Sequence, residues 1–148
     1  MNRFEFRLRV RYQETDAQGH VHHANYLTYF EQARVEMLRA IGQSYREVER
    51  SGATLVVSEM DIRYHAPAYF DDELIVEIEL RRAKGARMEH HYRVFRAPSE
   101  KPSPAGDTSE PAESAPIVTG RSMVACLNSD GRPRRLPNSL MRAVGRSE

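Results

Sequence analysis

One carboxylate and three imidazoles lie close together near the start of the chain. Asp16 is followed by His20, His22 and His23. An ionised carboxylate can act as a general base or as a nucleophile, and an imidazole can orient a substrate or move a proton. The cluster therefore marks residues 10–42 as the candidate active site of an enzyme.

The same cluster is compatible with a structural turn or a metal site. An aspartate in a polar turn before a helix is commonly only a capping or Asx-turn residue, and that alternative stays open for Asp16. The side chains also include enough ligands for zinc. Helical zinc motifs place two histidines four residues apart on one face, whereas adjacent His22 and His23 in a turn are expected to point apart. We therefore expect no metal ion.

The elements around the cluster can be predicted from the spacing of the apolar residues. Residues 3–13 alternate between apolar and polar side chains, which predicts a half-buried strand. From Tyr26 the apolar residues recur with a helical period, and Gly42 is a stop signal. Arg34 falls inside the apolar stripe and will need a partner or a route to solvent. The expected buried positions are Phe4, Phe6, Leu8, Val10 and Tyr12 of the strand, and Tyr26, Leu27, Tyr29, Phe30, Ala33, Met37, Leu38, Ala40 and Ile41 of the helix.

The chain after this helix is dominated by strands. A short helical segment is predicted over 44–52, strands over 53–64, 73–82, 87–96 and 117–128, a hairpin turn at Lys84-Gly85, and a short helix after Pro137. Alternation predicts one inward face in each of the strands 73–82 and 87–96, formed by Leu74, Val76, Ile78 and Leu80 and by Met88, His90, Tyr92 and Val94. Because residues 55–57 are apolar on both faces, we expect the 53–64 strand to be covered on both sides. Residues 97–116 are rich in Pro, Ser and Glu and lack large apolar side chains, which predicts a mobile loop insert.

The length, the charge balance and the cysteine count of the chain limit the class of protein. The chain has 148 residues, which suits one domain spanning 1–148. The 22 basic and 21 acidic residues nearly balance, which argues against a nucleic-acid partner and favours a small-molecule substrate. One cysteine excludes an internal disulfide. With no signal peptide and no apolar run that could span a membrane, we expect a cytoplasmic protein without integral membrane association.

One long helix and about five antiparallel strands predict the α+β class. Such an inventory favours a curved antiparallel sheet wrapped around one long central helix. If the apolar 53–64 strand lies at an edge, it would be an aggregation hazard in a monomer. Edge-to-edge pairing in a homodimer, or in a homotetramer built from such dimers, is therefore expected.

The run VRYQETDAQGHVHHANYLTYFEQAR carries a resemblance to a known family. It is similar to the signature of the hotdog-fold acyl-CoA thioesterases of the 4-hydroxybenzoyl-CoA thioesterase and YbgC-like branch, which is T-D-x-x-G-x-V-x-H-x-x-Y before the long helix. The likeness extends over most of the chain but not over the 97–116 insert. The matching residues are Thr15, Asp16, Gly19, Val21, His23, Asn25, Tyr26 and Arg34.

The resemblance implies a hotdog fold and hydrolysis of an acyl- or aryl-CoA to the free acid and coenzyme A. It implies no cofactor, with coenzyme A entering only as part of the substrate. Asp16 would be the general base or the nucleophile, and the helix N-terminus would hold the oxyanion. His23 would contribute a backbone donor or an orienting imidazole. The substrate-binding residues would be Gly19, Val21, Ala24, Asn25 and Tyr26.

Several alternatives remain open at this point. The domain could be a non-catalytic module that binds acyl-CoA or an acyl carrier protein. The helix carboxylates Glu31 and Glu36 are other candidates for the chemistry. A hotdog dehydratase is disfavoured because its G-D-x-N-P-type setting is absent from the sequence. The acyl group is not determined by the aromatic residues that could line its pocket, which are Tyr12, Tyr26, Tyr29, Phe30, Tyr64 and Tyr92.

Coenzyme A would also need contacts for its phosphates. Two basic groups could bind them, one around the predicted hairpin turn and one formed by Arg132, Arg134 and Arg135, although basic turns are commonly only solvated. The group around the hairpin turn is the candidate phosphate site. Its members are Arg81, Arg82, Lys84 and Arg87.

Overall fold

The computed structural model describes residues 2–98 and 115–145. In chain order the elements are β1 (Arg3–Arg9), a 3-10 turn (Tyr12–Glu14), α1 (Asn25–Ala40), α2 (Tyr45–Arg50), β2 (Thr54–Tyr64), β3 (Glu73–Lys84), β4 (Arg87–Arg96), β5 (Val118–Leu127) and α3 (Asn138–Gly145). The predicted insert over 97–116 falls mostly on residues 99–114, which lie outside the described residues. The mobility of this insert and the organisation of the whole chain as one domain stay predictions.

The five strands form one antiparallel sheet in the order β1-β3-β4-β5-β2. This confirms the predicted sheet of about five antiparallel strands. Alternation works as expected in β3 and β4, whose inward side chains are buried. On the outer face, carboxylates such as Glu77 pair with arginines of the neighbouring strand, here Arg93 at 2.7 Å. The apolar core thus lies on one face of the sheet.

Helix α1 lies on the apolar face, where it packs against β1 and β3. Its 16 residues make it the longest helix among the described residues, and α2 and α3 are short. That the sheet curves around α1 as one long central helix stays a prediction. None of the described helices is both long and apolar enough to cross a membrane.

A close aromatic contact fixes the helix on the sheet. The ring of Phe30 is fully buried and stacks on Tyr92 of β4, with centroids 4.2 Å apart and an interplanar angle of 16°. The same ring covers Gly120 of β5, where an added Cβ would lie 2.7 Å from Phe30 Cε2. Glycine at position 120 therefore allows α1 to approach the sheet this closely.

Arg34 finds the partner that its place in the apolar stripe requires. Its guanidinium donates to the Tyr92 hydroxyl at 2.9 Å, and that hydroxyl lies 2.6 Å from Ser122 Oγ. Among the described residues it makes no ion pair with a carboxylate. A buried cation is costly unless its hydrogen bonds are satisfied, so this polar chain ties α1 to β4 and β5.

Three expectations about burial are wrong. The first strand ends at Arg9 and the chain enters a 3-10 turn, which leaves Tyr12 77% exposed. On α1, Leu27 and Ala40 lie on the exposed side of the helix. The third concerns the cover expected on both faces of β2: Val57 is 44% exposed, and among the described strands β2 pairs only with β5. The local pattern shows that β2 is apolar but not that it lies at an edge.

Substituting Gly120 tests the contact between α1 and the sheet. Gly120→Ala is expected to lower the free energy of unfolding by about 1–3 kcal/mol, the usual cost of overpacking. The new Cβ would also lie 3.2 Å from the Asp61 carbonyl oxygen, and Phe30 is held by Tyr92. Chemical denaturation measures the change. Gly145→Ala is the control because no atom of the described part of the chain lies within 4 Å of its new Cβ, and equal stability of the two variants would contradict this packing.

Candidate active site

The turn that carries Asp16 is a narrow loop closed by backbone hydrogen bonds. Thr15 and Val21 form an antiparallel bridge, and the Asp16 N–H donates to the His20 carbonyl at 3.0 Å. Gly19 donates to the Asp16 carbonyl at 2.9 Å and has φ +87°, which glycine adopts without strain. The loop is therefore well defined without any contact to a ligand.

The Asp16 side chain makes an Asx turn and still keeps one oxygen available. Its Oδ1 accepts the Gln18 N–H at 2.9 Å. Within residues 2–98 and 115–145, Oδ2 accepts no hydrogen bond. The structural role of such an aspartate is thus present, and it leaves a carboxylate oxygen for chemistry.

The loop is fastened to the segment between β2 and β3. Val21 is 4% exposed and its N–H donates to the Ala68 carbonyl at 2.8 Å. His20 forms a bridge with Tyr69, and their rings meet edge to face at 6.4 Å. Val21 therefore packs in the core, so any substrate contact from this residue has to come through its main chain.

The other two histidines lie against each other. The rings of His22 and His23 stack with centroids 4.2 Å apart, so the expectation that they point apart is wrong. His22 Nδ1 accepts the Ala24 N–H at 3.2 Å, which fixes this ring beside the start of α1. In the described part of the chain, no three His, Cys, Asp or Glu side chains are grouped so as to hold a metal ion. The absence of a metal requirement stays a prediction.

The N-terminus of α1 has no side-chain cap. Ala24 occupies the N-cap position, and the first turn contains no acidic residue. Among the described residues, the His23 N–H has no hydrogen-bond acceptor. Free N–H groups and the positive end of the helix dipole favour an anion or an oxyanion at such a position. The Asn25 side chain is engaged elsewhere, since it donates to the Glu14 carbonyl at 2.8 Å.

Tyr26 and Tyr64 form an aromatic wall beside this helix end. Tyr26 is 2% exposed, and its ring lies 5.7 Å from that of Tyr64. Burial raises the pKa of Tyr26 to about 12, so its phenol stays neutral near pH 7 and does not act as a base. Tyr64 donates its hydroxyl hydrogen to the His23 carbonyl at 2.9 Å. The hydroxyl of Tyr64 thereby holds the carbonyl of His23, the residue whose own N–H has no acceptor among the described residues.

The sequence alone does not show the roles of two site residues. Tyr64 is expected there only as one of several possible pocket aromatics, and its bond to His23 joins residues 41 positions apart. Glu14 is not singled out by any pattern, yet it is 7% exposed and lies beneath the turn. Its place immediately before Thr15-Asp16 is the only available signal. Of the remaining aromatics, Phe30 and Tyr92 lie in the core, and Tyr12 contacts the exposed Phe70.

The basic group around the β3–β4 turn lies far from Asp16 within one chain. A cleft of about 260 Å³ on the outer face of the sheet is lined by Arg82, Lys84, Arg87, Glu89, Arg121 and Met123. Arg81 does not line it and lies 3.4 Å from Glu79. Glu73, at the start of β3, pairs with the last residue of β1, from which the chain continues to Asp16. The cleft lies at the other end of β3. At about 3.4 Å per residue, β3 separates the two ends by more than 30 Å.

Comparison with known proteins places the chain in a family. The Thioesterase-like superfamily matches residues 10–144. The chain is 30% identical over 139 residues to the acyl-CoA thioester hydrolase YbgC of Escherichia coli O6:H1, covering 93% of this chain and 92% of that protein. It is 41% identical over 96 residues to the acyl-CoA thioesterase YbgC of Haemophilus influenzae, covering 64% and 71% of the two chains.

A solved structure agrees with the fold. The DHNA-CoA thioesterase from Staphylococcus aureus matches with a TM-score of 0.83 and 22% identity, covering 99% of this chain and 91% of that one. At that identity the likeness shows the fold alone. The chain belongs to the Thioesterase-like superfamily, which confirms the resemblance, the hotdog fold and the class of enzyme, a thioester hydrolase. The roles of the individual site residues stay predictions.

Gly19 provides a test of the loop geometry. Gly19→Val is expected to lower the free energy of unfolding by about 1–2 kcal/mol, since L-residues adopt the left-handed region at that cost. Gly19→Asn should lose clearly less, because asparagine tolerates this conformation. No atom of the described residues lies within 4 Å of the new Cβ, so the penalty comes from the backbone and not from a clash. Thermal unfolding compares the two variants, and equal losses would contradict the conformational origin.

Proposed function

We propose that this protein is an acyl-CoA thioesterase whose reaction takes place between Asp16 and the N-terminus of α1. The observation that carries the proposal is that one short loop carries a carboxylate oxygen without a partner among the described residues and leads directly into the uncapped N-terminus of α1. Relatives named acyl-CoA thioester hydrolase and acyl-CoA thioesterase support the substrate class.

Each part of the turn has a role in thioester hydrolysis. Asp16 Oδ2 either takes a proton from the attacking water or itself attacks the acyl carbon to form a mixed anhydride that water then cleaves. In both routes the C–S bond breaks, the thiolate leaves as coenzyme A, and the acyl group ends as the free acid. The His23 N–H, with the positive end of the α1 dipole behind it, stabilises the developing oxyanion. No metal or other cofactor is required for these steps.

The remaining turn residues bind and orient the substrate. Gly19 and Ala24 allow the thioester to approach the main chain, Val21 and Asn25 hold the loop and the helix start together, and Tyr26 forms part of the acyl pocket. His23 acts through its backbone N–H, with its imidazole stacked on His22. The acyl group itself is left open by these contacts.

The functional unit is proposed to be a homodimer, alone or within a homotetramer. Strand β2 is an edge strand whose inward side chains Val57 and Tyr64 are 44% and 47% exposed. Pairing β2 with β2 of a second copy would satisfy the free edge and cover these side chains. Because Tyr64 contacts His23, the same pairing would complete the wall of the site.

Such a dimer brings the basic cleft to the active site of the other subunit. An antiparallel pair of β2 strands places the Tyr64 end of one copy beside the Thr54 end of its partner. The partner's β5 and β4 follow in order, so in the plane of the sheet its hairpin end lies about 10–15 Å from Tyr64 at strand spacings of about 4.8 Å, with the cleft on the outer face. We propose that this cleft, with Arg82, Lys84 and Arg87, and Arg81 at its rim, binds the phosphates of coenzyme A.

A non-catalytic binding module is the alternative. Hotdog sheets can hold an acyl thioester without cleaving it, and a related chloroplast protein of Arabidopsis thaliana is named an acyl-acyl carrier protein thioesterase, so the carrier is also open. Incubation with a panel of acyl-CoAs and a thiol reagent separates the two functions. Release of thiol supports the enzyme, and binding without release supports the module.

Removing the charge of Asp16 tests the catalytic centre. Asp16→Asn retains an oxygen for the Gln18 N–H, so the fold is expected to stay intact, while kcat/KM falls by about 10²–10⁴-fold. Thiol release from acyl-CoA measures the rate, and thermal unfolding checks the fold. Asp130→Asn, on an exposed turn away from the site, should be unchanged. Near wild-type turnover of the Asp16 variant would refute its assignment.

Neutralising the hairpin tests the phosphate site. The triple variant Arg82→Gln, Lys84→Gln, Arg87→Gln is expected to raise KM for acyl-CoA by about 3–10-fold with kcat unchanged, because it removes ground-state binding. The matching acyl-pantetheine, which lacks the phosphates, should show no change in KM. Arg142→Gln on α3 is the control for loss of an exposed cation. An equal rise in KM for both substrates would show that the cleft does not bind phosphate.

A further inference from the structure

Glu14 is a buried carboxylate at the base of the catalytic turn. It is 7% exposed and is the last residue of the 3-10 turn Tyr12–Glu14, immediately before Thr15 and Asp16. A carboxylate is rarely buried to this extent unless its oxygens are paired. The hydrogen bonds of Glu14 therefore indicate why this carboxylate is buried here.

The side chain of Glu14 closes the chain segment that leads into the turn. Oε1 accepts the Arg11 N–H at 2.8 Å, and Oε2 lies 3.3 Å from the Arg11 guanidinium. The Glu14 N–H donates in return to the Arg11 carbonyl at 3.0 Å. Hydrogen bonds to an ionised carboxylate are stronger than neutral ones, so this reciprocal contact fixes where residues 15 and 16 begin.

The main chain of Glu14 holds the other side of the site. Its carbonyl accepts the His22 N–H at 2.9 Å and the Asn25 side-chain N–H at 2.8 Å. His22 in turn receives the Ala24 N–H on its ring and the Asn25 N–H on its carbonyl. Glu14 thus connects the 3-10 turn before Asp16, which its side chain closes, to the first residues of α1, which bind its main-chain carbonyl.

Tyr29 of α1 faces the same carboxylate. Its hydroxyl is buried and, in the described part of the chain, has no hydrogen-bond partner at normal geometry. Burial, and after it the charge of Glu14, raise the pKa of Tyr29, so the phenol keeps its hydrogen beside the carboxylate. An unpaired buried hydroxyl is costly, which favours a hydrogen bond from Tyr29 to this carboxylate.

We propose that Glu14 is a positioning residue that holds the Asp16 carboxylate at a fixed place relative to the N-terminus of α1. This inference rests on the proposed thioesterase function. Asp16 and the oxyanion donors belong to two chain segments, and both have to contact the same carbonyl group of the substrate thioester. Since misplacement of reacting groups by about 1 Å can cost roughly 100-fold in rate, the residue that joins the segments controls kcat more than binding.

Glu14→Gln is the first test, because it preserves shape and removes the charge. An amide can present only one acceptor, so one of the two contacts with Arg11 is lost. The expected result in thiol-release assays is a kcat at least tenfold lower, with KM within threefold of wild type and an intact fold by thermal unfolding. Glu77→Gln, which removes a carboxylate paired with Arg93 on the outer face, should leave kcat and KM within twofold.

Combination with Asp16→Asn separates positioning from a general structural role. If Glu14 acts through Asp16, adding Glu14→Gln to Asp16→Asn produces no further loss in the residual single-turnover rate. A further loss as large as that seen in the wild-type background would overturn the proposal. So would a folded Glu14→Gln enzyme with kcat within twofold of wild type.

Tyr29→Phe keeps the inference testable if Glu14→Gln does not fold. It removes only the hydroxyl that faces Glu14, and it should lower kcat about threefold or more without lowering the melting temperature. Wild-type kcat in this variant would then overturn the proposal. These failures are distinguishable from failure of the proposed function, which would appear as a wild-type protein that releases no thiol from any acyl-CoA.

Discussion

The site depends on where the N-terminus of α1 is held relative to the sheet. Phe30 sets the distance by stacking on Tyr92 above Gly120. A buried phenylalanine contributes about 1.5–3 kcal/mol, and an aromatic pair about 0.5–1.5 kcal/mol beyond that, so this contact outweighs any single surface ion pair. One turn further, Arg34 reaches the Tyr92 hydroxyl and fixes the rotation of the helix. With distance and rotation set, the uncapped helix end lies beside the turn that carries Asp16.

The same arrangement explains why the site is polar at a point where the core is apolar. Inside the sheet, polar atoms are paired in a short chain through Tyr92 and Ser122. At the helix start, a free N–H at His23 and a free oxygen of Asp16 remain among the described residues. Groups left unpaired in an otherwise well-defined loop are those available to a substrate, and the open edge of β2 lies next to them through Tyr64.

Local patterns predicted the parts of this structure that depend on local physics. Alternation identified the buried faces of β3 and β4, helical period located α1 to within a residue, and the apolar surroundings of Arg34 showed that it needs a partner. Contacts between distant segments were not predictable in this way. The pairing order that puts β2 at an edge, the bond from Tyr64 to His23, and the burial of Glu14 where β1 gives way to a 3-10 turn all arise from tertiary packing.

The most direct test of the proposed mechanism is the position of a substrate carbonyl in the site. A crystal structure of the Asp16→Asn variant with an uncleaved acyl-CoA would show it. The mechanism predicts the thioester carbon about 3–3.5 Å from the side chain of residue 16, or one water further away, with its oxygen directed at the His23 N–H and the start of α1. A carbonyl bound away from this turn, with the helix end facing only solvent, would contradict it.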